Sequence, residues 1–147
     1  MKISQKGLNL IKEFEGCYLH PYKCVANKWT IGYGHTKGVN QNTRPINQQE
    51  AEEILKNDVS SFENLVNDKS IVPQQINQNQ FDALVSFAFN LGQRNLKELC
   101  NDNYPPGEKT VDHIANEITL YNKVNGKFCK GLANRREKEK KLFLGQI

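Results

Sequence analysis

Hydrophobic positions along the chain follow a helical period at both ends and a strand-like period in one early segment. Leu8 with Ile11, and Leu10 with Phe14, recur three and four residues apart, which marks one apolar face of a helix. Ser4 is suited to cap that helix and Gly16 to close it. Residues 18–40 then change character. Tyr18, Tyr22, Val25, Trp29, Ile31, Tyr33 and Val39 favour strands, and Pro21, Asn27, Gly32, Gly34 and Gly38 punctuate them. The pattern predicts a small antiparallel sheet of two or three strands, which needs helices to lean on.

The helical period returns at Asn47, where Asn47 and Glu50 have the spacing of a capping box. Ala51, Ile54, Leu55, Val59, Phe62, Leu65 and Val66 trace one face of the predicted helix. Asp58 falls on that same face, so its carboxylate calls for a partner. Gln80–Leu91 is apolar nearly all round and stops at Gly92, the signature of a central buried helix. A short helix over Asn95–Cys100 follows, then a loop through Tyr104-Pro105-Pro106-Gly107. Thr110 caps a helix that turns Val111, Ile114, Ala115 and Ile118 inward, and a last helix covers about Leu132–Phe143. The fold class is therefore α+β, a small N-terminal antiparallel sheet packed beside a mainly helical body. The 147 residues form one domain, with a helix-and-hairpin lobe to about residue 45 and a helical lobe from about residue 46.

Composition narrows the function classes. A chain of this length buries about 70% of its unfolded surface and folds without staples. The net charge of +4 suits an anionic wall polymer or membrane surface without demanding nucleic acid. The run Arg135-Arg136-Glu137-Lys138-Glu139-Lys140-Lys141 alternates in sign and is read as a solvated helix face, with no groove-reading motif beside it. No segment has the length of a membrane span, and the first residues lack the apolar core of a secretory signal, so the expected location is the cytoplasm of the producing cell. There the four cysteines, Cys17, Cys24, Cys100 and Cys129, are expected as thiols.

The candidate chemistry gathers between residues 15 and 36. Glu15 sits at the end of the first helix, where the helix dipole disfavours negative charge and favours the protonated form that a general acid requires. Thr30 offers a hydroxyl that both donates to and accepts from a water. Cys24 between them can place that water or, as a thiolate, attack directly. An acid on one side of a bond and a held water on the other is what glycoside hydrolysis needs.

The segment Glu15-x8-Cys24-x5-Thr30, running on through Ile31-Gly32-Tyr33-Gly34-His35-Thr36, resembles the active-site segment of phage-type lysozymes, glycoside hydrolase family 24. The resemblance continues in Gln80–Gly92 and in Gly131-Leu132-Ala133-Asn134-Arg135-Arg136-Glu137, with Leu142-Phe143 at the end, and so covers nearly the whole chain. It implies a lysozyme-like fold and a muramidase that cleaves the β-1,4 bond between N-acetylmuramic acid and N-acetylglucosamine in peptidoglycan. By position it makes Glu15 the general acid and Thr30 the group that helps hold the attacking water. Cys24 stands where many members carry Asp, which implies an altered mechanism or pH dependence. The resemblance further implies a structural pair between His35 and Asp58, an arginine, Arg135, that meets Glu15, and sugar contacts at Thr36, Phe89 and Asn90. It implies neither metal nor cofactor. An endolysin of this kind, expected as a monomer, needs a membrane lesion made by a holin-type partner to reach the wall.

The same residues allow other arrangements. Cys17, His20, Cys24 and His35 can be drawn as a zinc set, though their spacing is irregular. Cys24 with His35 or His113 would be a thiol hydrolase, which leaves Glu15 and Thr30 without a role. A Cys17–Cys24 disulfide would block Cys24. A lytic transglycosylase, or a silent wall-binding module, are the functional rivals.

Overall fold

The computed structural model describes all residues from 1 to 147. Helix α1 (Gln5–Glu15) leads into a hairpin of β1 (Tyr18–Lys23) and β2 (Trp29–Gly32), followed by α2 (Gln48–Asn67) and α3 (Gln78–Asn101). Then come α4 (Val111–Glu117), a 3-10 turn (Ile118–Leu120), a second hairpin of β3 (Lys123–Val124) and β4 (Lys127–Phe128), and α5 (Lys130–Phe143). The arrangement is α+β and mainly helical, as the hydrophobic pattern predicts. None of these helices is long and apolar enough to cross a membrane.

The chain divides into two compact units, one of residues 11–61 and the other of residues 1–10 with 62–147. The division runs through α1 and α2, whereas the sequence pattern draws it near residue 45. In the unit of residues 11–61, β1 and β2 pair antiparallel, with Tyr22 opposite Thr30 and Lys23 opposite Trp29, and a bulge between Tyr18 and Tyr22. A bridge between Ile31 and His35 extends the pairing into the turn after β2. The Gly32 backbone lies on Ile46 and on Ala51 of α2, and Ile46 N donates to Leu19 O. The predicted capping box forms: Glu50 N donates to Asn47 Oδ1 at 2.8 Å and Asn47 N to Glu50 Oε1 at 3.1 Å.

In the other unit, the first part of α3 is buried without interruption from Phe81 to Ala88, and α5 packs along it. The helix starts earlier than its apolar run, at Gln78, because Asn77 and Gln80 make a reciprocal capping box. Non-helical backbone at Gly92 separates that part from the short helix beyond it. Thr110 caps α4 as predicted, with His113 completing the box. Two features depart from the sequence reading. The Lys123–Phe128 hairpin was not predicted, although Asn125-Gly126 is the standard two-residue turn dipeptide and both residues have positive φ. The basic run is only in part a solvated face: Arg135, Arg136 and Glu139 are buried, while Glu137, Lys138 and Lys141 are exposed.

Burial of those charges is possible because they satisfy one another. Arg136 Nε donates to Glu139 Oε1 at 2.6 Å, and Ser86 Oγ donates to Glu139 Oε2 at 2.5 Å. Arg135 Nε approaches Glu139 Oε2 at 3.4 Å. The sign alternation that reads as surface patterning is here an internal ion cluster.

Candidate active site

Glu15 ends α1, and Gly16 N donates to Lys12 O to close the helix. The carboxyl lies against the turn that follows β2. A Cβ built on Gly34 would fall 2.8 Å from Glu15 Oε1, and Gly34 itself has φ +79°. Only glycine combines that backbone with so close an approach. The Thr-Ile-Gly-Tyr-Gly-His-Thr run is therefore a device for bringing main chain up to a carboxylate.

Cys24 and Thr30 meet across the hairpin. Cys24 N donates to Lys28 O at 2.9 Å and Asn27 N to Cys24 O at 2.8 Å, with Asn27 in the left-handed region. The turn aims backbone donors back at the sulfur. Hydrogen bonds from the Lys28 backbone, the Thr30 side chain and the Ala26 backbone hold the Cys24 thiol below its ordinary value. Thr30 is buried, and its hydroxyl also donates to Lys28 O at 3.0 Å. One proton thus has two acceptors, a carbonyl and a sulfur, and the lone pairs of Thr30 remain for a third partner.

Tyr22 belongs to this group, and the sequence reading did not single it out as a site residue. Its phenol is pushed up by burial, then by the neighbouring Tyr18, Cys24 and Glu15, so it senses both candidate catalytic groups. The Tyr18 and Tyr22 rings lie 4.3 Å apart, and Tyr18 is exposed. Alternating strand positions carry this signal in the sequence, but nothing there separates a site tyrosine from a packing one.

His35 and Asp58 form the expected pair, Nδ1 to Oδ2 at 2.7 Å, which ties the hairpin turn to α2. His35 also exchanges both backbone hydrogen bonds with Ile31. The histidine is thereby committed to holding the turn. Thr36 follows it on the exposed side. His113 completes the α4 capping box and stacks on Tyr104. No group of three or more His, Cys, Asp and Glu side chains is placed to hold a metal ion, so the zinc set does not assemble. Cys17 and Cys24 are both free thiols.

Phe89, Asn90 and Arg135 belong to the unit of residues 62–147. Phe89 is half-buried and meets Phe62 edge-on at 5.4 Å. Asn90 Oδ1 accepts from Arg136 Nη2 at 2.8 Å, which orients its amide. Arg135 is fixed by Glu139 and by the Ser86 carbonyl.

A carboxyl group facing a glycine turn, with a buried hydroxyl on β2 and a thiol of lowered pKa in the turn after β1, is the set of groups that acid-assisted addition of water calls for. The comparisons agree with that class. Residues 12–139 match the family described as phage lysozyme. The endolysin of Bacillus phage B103 is 41% identical over 146 residues, which are 98% of this chain and 54% of that protein. The endolysin from Escherichia coli O157:H7 phage FAHEc1 has a TM-score of 0.82 and 32% identity, covering 100% of this chain and 96% of that one. The muramidase domain of SpmX from Asticaccaulis excentricus also has a TM-score of 0.82, with 34% identity and 97% of each chain covered. The chain belongs to the phage lysozyme family. It spans about half the length of the Bacillus phage endolysins it matches.

Proposed function

We propose that this protein is a muramidase of the endolysin type, which hydrolyses the β-1,4 bond between N-acetylmuramic acid and N-acetylglucosamine in peptidoglycan. The observation that carries the reading is the approach of Gly34 to the Glu15 carboxyl, on the same hairpin that joins Cys24 to Thr30. Glu15 gives its proton to the glycosidic oxygen as the bond to the anomeric carbon breaks. A water held by the Thr30 hydroxyl adds its oxygen to that carbon and passes a proton to the Cys24 thiolate. The backbone donors around the sulfur support this role, because they favour the thiolate that a base requires. We assign Thr36, Phe89 and Asn90 to sugar contact on the resemblance of their positions to the family's. The protein acts as a monomer, is held in the cytoplasm of the producing cell and reaches the wall through a lesion of the holin type.

The test is digestion of purified peptidoglycan with mass spectrometry of the fragments. Hydrolysis yields reducing muramic ends, transglycosylation yields anhydro ends, and a silent module yields no fragments. Glu15→Gln is expected to lower the rate by at least about a hundredfold. A variant that digests walls as fast as the wild type removes Glu15 from the role of acid.

A further inference from the structure

The hairpin of β3 and β4 is unlike the rest of the molecule, because neither of its faces is packed. Lys123 pairs with Phe128 and Val124 with Lys127, and all four residues are exposed. Side chains alternate between the faces of a strand pair, so each face presents one lysine beside one large apolar group. Phe128 is 66% exposed, Val124 51%, and Leu120 just before the hairpin 67%. A two-stranded ribbon with no packed face is marginal in water. This one is anchored only at its base, where Cys129 N donates to Asn122 O at 2.9 Å.

Charge in this stretch has one sign. From Ile118 to Asn134 there is no Asp or Glu, while Lys123, Lys127 and Lys130 are all present and exposed. We propose that the Lys123–Phe128 hairpin, with Leu120 and Lys130 at its base, is a docking surface for an anionic lipid bilayer. Lysine beside an apolar side chain is the pairing such a surface takes: the apolar group enters the acyl boundary while the ammonium stays at headgroup phosphate. An anionic wall polymer would attract the same lysines but offers no apolar phase for Leu120, Val124 and Phe128. Three exposed apolar residues together with three lysines therefore favour lipid over polymer. The surface is independent of the proposed hydrolysis, since none of its residues is assigned to the site.

The experiment is co-sedimentation of the full chain with vesicles of equal parts phosphatidylglycerol and phosphatidylcholine, and with vesicles of phosphatidylcholine alone. Binding is expected to the mixed vesicles only. It should weaken about twenty-five-fold in Lys123→Gln/Lys127→Gln, at about fivefold per lysine, and about tenfold in Phe128→Ser. Salt near 1 M, which shortens the screening length to about 3 Å, should release the protein. Digestion of purified walls by both variants should match the wild type, which separates this surface from the hydrolytic reading. The proposal is overturned by absence of binding to the mixed vesicles, or by binding that neither variant weakens. It is equally overturned if the variants lose affinity for purified walls while keeping it for vesicles.

Discussion

At the scale of single residues, the candidate site depends on two approaches that a list of reactive side chains does not contain. The first is Gly34. Alanine there would place a methyl group 2.8 Å from the Glu15 carboxyl oxygen on a backbone with φ +79°. We expect Gly34→Ala to cost about 1–2 kcal/mol of stability through the left-handed backbone. It should also lower kcat/KM on purified walls by about a hundredfold, since a displacement of about 1 Å at a reacting group has that effect. Urea melts and a wall-clearing assay read the two separately; a stable variant with full activity would show that the contact does not position Glu15. The second approach is that of the 24–28 turn to the Cys24 sulfur, which lowers the pKa of the thiol. If the thiolate is the base, activity rises as pH climbs through that lowered value. Cys24→Asp should keep activity and carry the rising limb down to the carboxylate range, at about pH 4. An inactive Cys24→Asp beside an active wild type would instead point to attack by sulfur itself. Glu15, Cys24 and Thr30 are legible as candidates because their chemistry is written in one short segment. Tyr22 and Gly34 are not, because their roles arise only from what the folded hairpin brings near.

Elements were legible where their ends carry side-chain signals. Asn47 with Glu50, and Thr110 at the start of α4, are caps whose chemistry is local, and both form as read. Apolar periodicity puts the starts of α3 and α5 two residues after their positions at Gln78 and Lys130, because it marks the buried face and not the cap. Asp58 was the informative exception on α2. A carboxylate on an apolar face demanded a partner, and the hairpin supplies it in His35 at 2.7 Å. This link joins two elements of the same unit, each side chain keeping roughly a quarter of its surface in water. A double-mutant cycle of His35→Ala and Asp58→Ala should therefore give a coupling of about 1–2 kcal/mol, between an exposed pair and a buried charge-assisted bond. Coupling within error of zero would mean that the backbone exchange between Ile31 and His35 holds the turn without the pair. Zinc should leave the melting temperature unchanged, since the histidine is engaged and no metal set surrounds it.

For the whole molecule, the limit of sequence reading lies with buried polar groups, whose sign depends on contacts distant along the chain. Arg136 and Glu139 read as surface because charge alternation looks the same on a solvated helix and in an internal cluster; Ser86 and Asn90, some fifty residues earlier, decide which it is. Cys100 shows how such burial reaches the stability of the entire fold. Its thiol is fully buried, and desolvation pushes it from an ordinary 9.0 up to about 12, against a smaller opposing effect of Lys109. The unfolded chain therefore gives up this proton near pH 9 while the folded protein retains it. Stability is complete below about pH 9 and falls as pH rises from there toward about 12, by about 4 kcal/mol for a shift of this size. Tyr121, raised by burial and by its hydrogen bond to Glu98, adds a loss of the same sign that begins only near its ordinary value of 10.0. Urea unfolding at intervals between about pH 8 and about pH 11 should show midpoints that decline from about pH 9 with little change in m. In Cys100→Ala the baseline is lower because atoms are removed from the core, but the decline should begin near pH 10 and be shallower. An unchanged slope between pH 9 and pH 10 in that variant would assign the alkaline loss to other groups, and Cys100 would then be a packing residue alone.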